Sequence, residues 1–413
     1  MKLLCLSNGH GEDAIAVRIL DALRQHPDAP ELAALPLVGA GRTYVQADIP
    51  IIGPVKAMPS GGFIYMDGRQ LWQDVRGGLL GLTWAQLQTV KRWGNSGGTV
   101  LAVGDIVPLA MAWWSGGNYG FVGTAKSEYY IRDDGGRLLK QRRSEAWSGS
   151  VYLPWERWLL SRSRCRAVYP RDSLTTAVLK QFKIPAHDLG NPMMDGLAVP
   201  RYDRPEQEDQ RPLTVLLLTG SRSPEAERNW QILLAAAQAL CRDRPQRPLL
   251  FLGAIAPGLD PAPFQAALNN QGWRSTPLPD TAPITAPDAQ AWKLDRDRHQ
   301  IILTQQAYAP CLNAADLAFA MAGTATEQFV GLGKPAIALP GAGPQFTPQF
   351  AEAQTRLLGV SVTLVQRPQD VPKICHSLLN NADTLQIIAE NGRNRMGTSG
   401  AAARIADHVV AVL

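Results

Sequence analysis

Short apolar runs that end in turn residues alternate with stretches of helical periodicity, and the whole pattern occurs twice along the 413-residue chain. In the first half the strand-like runs are "KLLCLS", "LAALPLVG", "TVLAVGD", "YGFVGT" and "CRAVYP", and a helix is expected from about Ala14 to Arg24, with Ile15, Ile19 and Leu23 on one face. Residues 191–212, rich in proline and charge and without periodicity, read as an interdomain linker. The pattern then restarts with "LTVLLLTGSR", followed by a helical segment on which Trp230, Leu233, Leu234, Ala237, Leu240 and Cys241 share a face, and by "LLFLGA", "QIILTQ", "LAFAMAG" and "PAIALPG". Near-continuous apolar strands separated by helices are buried on both faces, as parallel strands are. The expected class is α/β, with two doubly wound Rossmann-like domains, residues 1–190 and 213–413, facing each other across a cleft.

Other classes are disfavoured by composition. The five cysteines are scattered without a Cys-x-x-Cys pair or ligand-like spacing to histidine, so neither a disulfide framework nor a metal site is expected, and a reducing, cytoplasmic setting fits. "MKLLCLSNGHGED" meets carboxylates too early for a secretion signal, and "TVLAVGDIVPLAMAWW" carries Asp105 and Pro108 and is too short to span a bilayer. Residues 1–200 hold 22 Lys and Arg against 17 Asp and Glu, whereas the rest of the chain holds 19 of each. The excess positive charge therefore lies in the first half, together with eight of the eleven tryptophans: Trp72, Trp84, Trp93, Trp113, Trp114, Trp147, Trp155 and Trp158. Indoles interleaved with basic residues suit peripheral contact with an anionic membrane surface; a tryptophan-rich core is the competing reading. No nucleic-acid-binding motif accompanies the modest charge.

In doubly wound sheets ligands bind beyond the carboxyl ends of the strands. Four polar clusters follow predicted strand ends: His10, Glu12 and Asp13; Asp105; Ser221 and Arg222; and Gly323, Thr324, Ala325, Thr326 and Glu327. In "SNGHGED" the imidazole of His10 is suited to general-base work by its ordinary titration range. Arg222 offers a bidentate fork to phosphate. The helix start at Gly323 to Thr326 offers backbone N–H groups and the positive end of a helix dipole, and Glu327 sits one turn in, within reach of ribose hydroxyls.

Four segments, "LLTGSRSPEAE", "GNPMMDGL", "AMAGTATEQFVGLGKP" and "MGTSGAAARIADHVV", stand in the order and spacing of lipid-A-disaccharide synthase, and the chain resembles the branch of that family found in cyanobacteria and plastids. The resemblance covers most of the chain. It implies a GT-B glycosyltransferase with no metal or cofactor, a UDP-sugar donor held mainly by the C-terminal domain, a lipid-type acceptor held by the N-terminal domain, and a C-terminal helix returning to the N-terminal domain. Residue by residue it implies diphosphate contacts at Arg222 and Gly323 to Thr326, ribose contacts at Glu327, and a catalytic aspartate at Asp105. "PQFAEAQTRL" resembles the Gln-x-x-Asn-Ala segment of the peptidoglycan N-acetylglucosaminyltransferase, with Gln349 in the place of the sugar-contacting Gln and Glu352 where Asn is usual. His10 and the segment from Gly61 to Trp93 have no counterpart in the synthase, which points to a sugar lipid other than a lipid A precursor.

The expected activity is inverting transfer of a sugar from a UDP-sugar to a lipid-linked or glycolipid acceptor, with the base at His10 or Asp105 and with Glu12 beside them among the catalytic candidates. Two alternatives use the same architecture: a UDP-sugar 2-epimerase, which needs no acceptor surface, and a UDP-sugar-binding scaffold without turnover.

Overall fold

Every residue of the strand Thr99–Gly104 is buried, and so is all of Leu213–Leu218, so each needs apolar cover on both faces. The computed structural model describes residues 1–56, 79–139, 144, 146–197, 211–278, 284 and 288–413. It meets that need with two α/β units, one formed by Met1–Asp195 with Gly397–Leu413, the other by Gly196–Met396.

The first unit contains, in chain order, β1 (Lys2–Ser7), α1 (His10–Gln25), β2 (Glu31–Pro36), α2 (Arg42–Gln46), α3 (Leu79–Asn95), β3 (Thr99–Gly104), α4 (Ile106–Trp114), β4 (Tyr119–Gly123), α5 (Pro154–Leu160), β5 (Cys165–Tyr169) and α6 (Ser173–Gln181). Its sheet is wholly parallel in the order β2-β1-β3-β4-β5, with Leu3 opposite Thr99 and Ser7 opposite Val103. Leu4, Leu6, Leu35, Val100, Phe121 and Val168 belong to its core.

The second unit begins with β6 (Leu213–Leu218), α7 (Glu225–Asp243), β7 (Leu249–Ala254), α8 (Ala262–Asn270), β8 (Arg274–Thr276), β9 (Trp292–Arg296) and β10 (His299–Thr304). It continues with α9 (Tyr308–Ala314), β11 (Leu317–Ala320), α10 (Thr324–Gly331), β12 (Ala336–Ala338), α11 (Pro348–Leu358), β13 (Val362–Leu364), α12 (Val371–Leu379) and α13 (Ala382–Met396). The sheet order is β13-β12-β11-β6-β7-β10-β9-β8, parallel except for β9 and β8, which pair antiparallel at one edge. Trp230 of α7 packs in its core against Phe264 and is fully buried.

Both sheets start on a central strand and place later strands on either side of it. The order reverses between β1 and β3 in the first unit and between β6 and β11 in the second. Crossover helices lie on opposite faces at such a point, which leaves a crevice at the strands' carboxyl ends.

The final helix, α14 (Ala401–Val412), packs on α1 and belongs to the first unit, as the family resemblance implies; the second unit therefore ends at Met396 rather than at the C-terminus. Two of the recognised segments meet there. Asp195 of "GNPMMDGL" accepts hydrogen bonds from the backbone N–H groups of Gly400 (2.5 Å), Ala401 (3.1 Å) and Ala402 (2.7 Å), so a carboxylate caps the positive end of the helix. At the other end the Tyr169 hydroxyl lies 2.9 Å from His408 Nδ1. Much of the expected linker, residues 198–210, lies outside the described residues, as does most of the segment after Gly61.

One sequence expectation is corrected and one element is new. The first helix starts at His10, four residues before Ala14, because the Asp13 N–H already bonds the Gly9 carbonyl at 2.8 Å; "HGED" is a helical turn. The β8–β9 edge was not anticipated from the apolar runs, since β8 is a three-residue strand exposed along most of its length. Asp195→Ala is expected to lower stability by about 2 kcal/mol, the scale of a charged cap bonded to several amides, and to speed hydrogen exchange at Gly400–Ala402. Urea unfolding and amide exchange check this; unchanged values in both would contradict the capping role.

Candidate functional site

The first reversal point gathers three carboxylates. Asp105 is the N-cap of α4: its Oδ1 accepts from the Val107 N–H at 2.9 Å, and its Oδ2 accepts from Asn8 Nδ2 at 3.0 Å. The second bond ties the end of β3 to the end of β1, 97 positions apart in the chain. Asn8 is buried, and its Oδ1 has no hydrogen-bond partner among the described residues.

Asp13 turns away from the crevice. It is 1% exposed, accepts from Ser7 Oγ at 2.5 Å, and lies in a buried group with the Tyr44 hydroxyl, itself 2.5 Å from Ser7 Oγ. Burial, with the Asp13 charge as a further cause, pushes the Cys5 thiol beneath it well above the ordinary range. Asp13 therefore anchors the first turn of α1 in the core.

Glu12 is half-buried and takes a different course. Its side chain runs between two glycines of positive φ, Gly9 (142°) and Gly104 (129°). A Cβ at Gly9 would meet Glu12 Oε2 at 3.0 Å, and one at Gly104 would meet Glu12 Cγ at 3.2 Å. Its hydrogen bond from Thr124 Oγ1 is long, at 3.5 Å. Burial first, then the charges of Asp105 and Asp13, hold its carboxyl above the usual range, against the lowering effect of hydrogen bonds from its own backbone and Thr124. His10 opens α1; its side chain lies outside the described residues. Sequence reasoning missed Asn8, Thr124 and the buried Arg171, whose Nη1 donates to the Thr124 carbonyl at 3.2 Å. Asn8 and Thr124 directly follow strand ends and Arg171 lies two residues beyond one, which was the one signal available.

At the second reversal point, β6 is followed by Thr219, Gly220, an exposed Ser221 and the half-buried Arg222. With the Gln345 amide oriented as its neighbours require, its oxygen accepts from the Arg222 guanidinium, at 3.0 Å from Nε. Burial lowers the titration range of Arg222 and the Glu225 charge raises it. Glu225 is buried and accepts from the backbone N–H groups of Gln345 (3.1 Å) and Phe346 (2.6 Å), pinning the loop after β12 beside Arg222. Glu225 also escaped the sequence reading, although "SPEAE" contains it.

Gly323 precedes α10, and its carbonyl accepts from the Thr326 and Glu327 N–H groups. Thr324 is exposed and Ala325 half-buried, while Glu327 is buried in the first turn. Thr326 is fully buried and its hydroxyl donates to the Ala322 carbonyl at 2.6 Å, so its side chain serves the helix start. Gln354 of α11 donates to the carbonyls of Ala322 and Gly323, each at 3.1 Å. Gln349 is exposed at the start of α11, and Glu352 is ion-paired with Arg356 at 3.0 Å on the same helix. The residue of this helix that contacts the Gly323 turn through hydrogen bonds is thus Gln354, with the Phe350 ring also lying against Gly323.

The first unit also exposes several indoles. Trp84, Trp114, Trp147, Trp155 and Trp158 are exposed, up to 63% for Trp147; Trp93 and Trp113 are half-buried, and Trp72 lies outside the described residues. Trp230 and Trp273 in the second unit are buried. A groove of about 360 Å³ runs between α3 and α4, lined by Leu87, Ile106, Val107, Ala110, Met111, Trp113 and others, and it begins at the residue after Asp105. The Arg162 guanidinium lies 4.3 Å from the Trp158 ring centre. No described helix is long and apolar enough to cross a membrane. Among the described residues no group of three or more His, Cys, Asp or Glu side chains is placed to hold a metal ion.

No protein-family model and no curated protein matches the chain. Solved structures do. A putative UDP-N-acetylglucosamine 2-epimerase from Listeria monocytogenes is 16% identical over 99% of this chain and 96% of its own, with a TM-score of 0.57. UDP-GlcNAc 2-epimerase from Neisseria meningitidis, solved bound to UDP-GlcNAc, is 15% identical over the full length of both chains, with a TM-score of 0.57. MurG from Acinetobacter baumannii is 15% identical over 100% of this chain and 99% of its own, also at 0.57. The fold is thus of the GT-B type, with two Rossmann-like units.

Proposed function

We propose that the chain transfers a sugar from a UDP-sugar to a lipid-linked or glycolipid acceptor, with inversion and without a metal ion, while peripherally bound to the inner, cytoplasmic face of an anionic membrane. The observation that carries this reading is the apolar groove between α3 and α4, lined by Ile106, Trp113 and Trp114 and starting at the residue after Asp105, together with the exposed tryptophans of the same unit. An amphiphilic acceptor would lay its apolar part along α4 and bring its hydroxyl to the strand ends, where His10, Glu12 and Asp105 are candidates to take the proton. The arginines around the indoles would meet lipid phosphates.

The donor is assigned to the second reversal point. Arg222 and the N–H groups of Thr324 and Ala325 suit a diphosphate, and their positive charge would support its departure. Glu327 suits the ribose hydroxyls, and Gln349 and Glu352 remain candidates for the sugar. That a structural neighbour binds UDP-GlcNAc supports a UDP-sugar as the ligand class.

A second reading, UDP-sugar 2-epimerase, is favoured by the full-length likeness to two proteins of that description. It leaves the exposed tryptophans without a use. Incubation with a panel of UDP-sugars and a total lipid extract separates the two: transfer yields free UDP and a lipid heavier by one sugar, whereas epimerisation proceeds without lipid. A scaffold would turn over neither.

Arg222→Ala and Glu327→Ala are each expected to weaken UDP binding by about 1–3 kcal/mol. Calorimetry showing wild-type affinity in both would contradict the donor placement. The protein is also expected to bind anionic but not neutral vesicles, with binding that falls as salt rises. Paired Trp84→Ser and Trp158→Ser changes should weaken binding further; equal binding to both vesicle types, or to neither, would contradict the membrane reading.

A further inference from the structure

The three carboxylates of the first reversal point are held in different ways, and the difference assigns their work. Asp13 is satisfied by Ser7 inside the core. Asp105 has both oxygens engaged, one capping α4 and one on Asn8. Glu12 alone lies in a slot between two backbone segments that only glycine can form, where it accepts from its own backbone and, at 3.5 Å, from Thr124 Oγ1. The slot is specific. Any Cβ at Gly104 would press on Glu12 Cγ, and any Cβ at Gly9 on its carboxylate, so the backbone there leaves room for this side chain.

A second observation points to a ligand. Asn8 Oδ1 is buried and unpartnered among the described residues, while the same amide's nitrogen is committed to Asp105. An acceptor atom left bare at a strand end suits a hydroxyl donor on a bound molecule.

We propose that Glu12 is the group that takes the acceptor's proton, and that Asp105 and Asn8 are positioning residues that hold the strand ends around it. The proposal rests on the transfer reading above. As the acceptor oxygen bonds to the anomeric carbon, its O–H bond breaks and the proton passes to a Glu12 carboxylate oxygen. The bond from that carbon to the diphosphate breaks at the same time, and its electron pair leaves with UDP. A carboxylate that burial and a neighbouring charge make more basic is well matched to this task. Because the Asp105 charge is one cause of that rise, Asp105→Asn should shift Glu12 back toward the ordinary carboxylate range.

The test uses the full-length chain with Glu12→Gln, Asp105→Asn and His10→Gln. The Glu12 carboxyl is followed by carbon-13 NMR without substrate, its signal assigned by absence in E12Q, and transfer to lipid is followed across pH. Glu12 should titrate above about 4.3, the ordinary glutamate midpoint, and move down in D105N. E12Q should lose ~100- to 10,000-fold in kcat with UDP affinity within about twofold of wild type. In D105N the acid limb of kcat/KM should move to lower pH. If E12Q does not bind UDP, Glu12→Asp, which withdraws the carboxylate while keeping its charge, should show the same loss of kcat. An ordinary Glu12 midpoint in a protein that transfers sugar would overturn the assignment alone, as would wild-type kcat in E12Q, or loss of transfer in H10Q but not in E12Q. Absence of transfer by the wild-type protein would overturn the transferase reading itself.

Discussion

The hydrogen bond from Asn8 to Asp105 joins the two strand ends between which the first sheet changes direction, and the rest of the candidate chemistry is arranged around it. Parallel strands cannot be joined by tight turns, so each is followed by a crossover, and all the crossovers leave from the same edge of the sheet. At the reversal between β1 and β3 the helices depart to opposite faces and the two strand ends stand side by side. One clamp then sets the start of α4 by capping it and leaves Glu12 in the slot between Gly9 and Gly104. In the second unit, β6 and β11 repeat the arrangement with the opposite electrostatic sign, an arginine and a helix N-terminus in place of carboxylates.

Under the proposed function, that contrast follows from elementary charge considerations. A leaving diphosphate needs cations and oriented N–H groups, whereas accepting a proton needs a carboxylate or imidazole kept from full solvation. The buried Glu225 shows how the arginine side is held: it pins the Gln345–Phe346 backbone, and Gln345 in turn accepts from Arg222. The guanidinium is thereby oriented by neighbours that are themselves fixed, which reduces the ordering cost of binding.

The order of strands and most of their positions were legible because buried parallel strands leave unbroken apolar runs such as "TVLAVG" and "LTVLLL". The strand-end rule then located both clusters. It did not reveal their internal roles, which depend on contacts across long stretches of chain: Asn8 with Asp105, Glu225 with Phe346, Asp195 with the start of α14. Local spacing also misled at Asp13, where "GED" placed two carboxylates side by side although one faces the core and the other the crevice. On α11 the Gln-x-x-Asn-Ala likeness drew attention to Gln349 and Glu352, while Gln354 makes the contacts to the Gly323 turn. The eight tryptophans of the first half fitted a core or a surface equally well in sequence; none of the seven that are described is buried.

In the proposed function the two reversal points divide the work, nucleotide at the second and proton transfer at the first. A crystal structure of the full chain with UDP tests this most directly. The diphosphate oxygens are expected within about 3 Å of the Arg222 guanidinium and of the N–H groups at the start of α10. A diphosphate bound at the ends of β1 and β3, or anywhere that leaves Arg222 and Thr324 without contact, would contradict it.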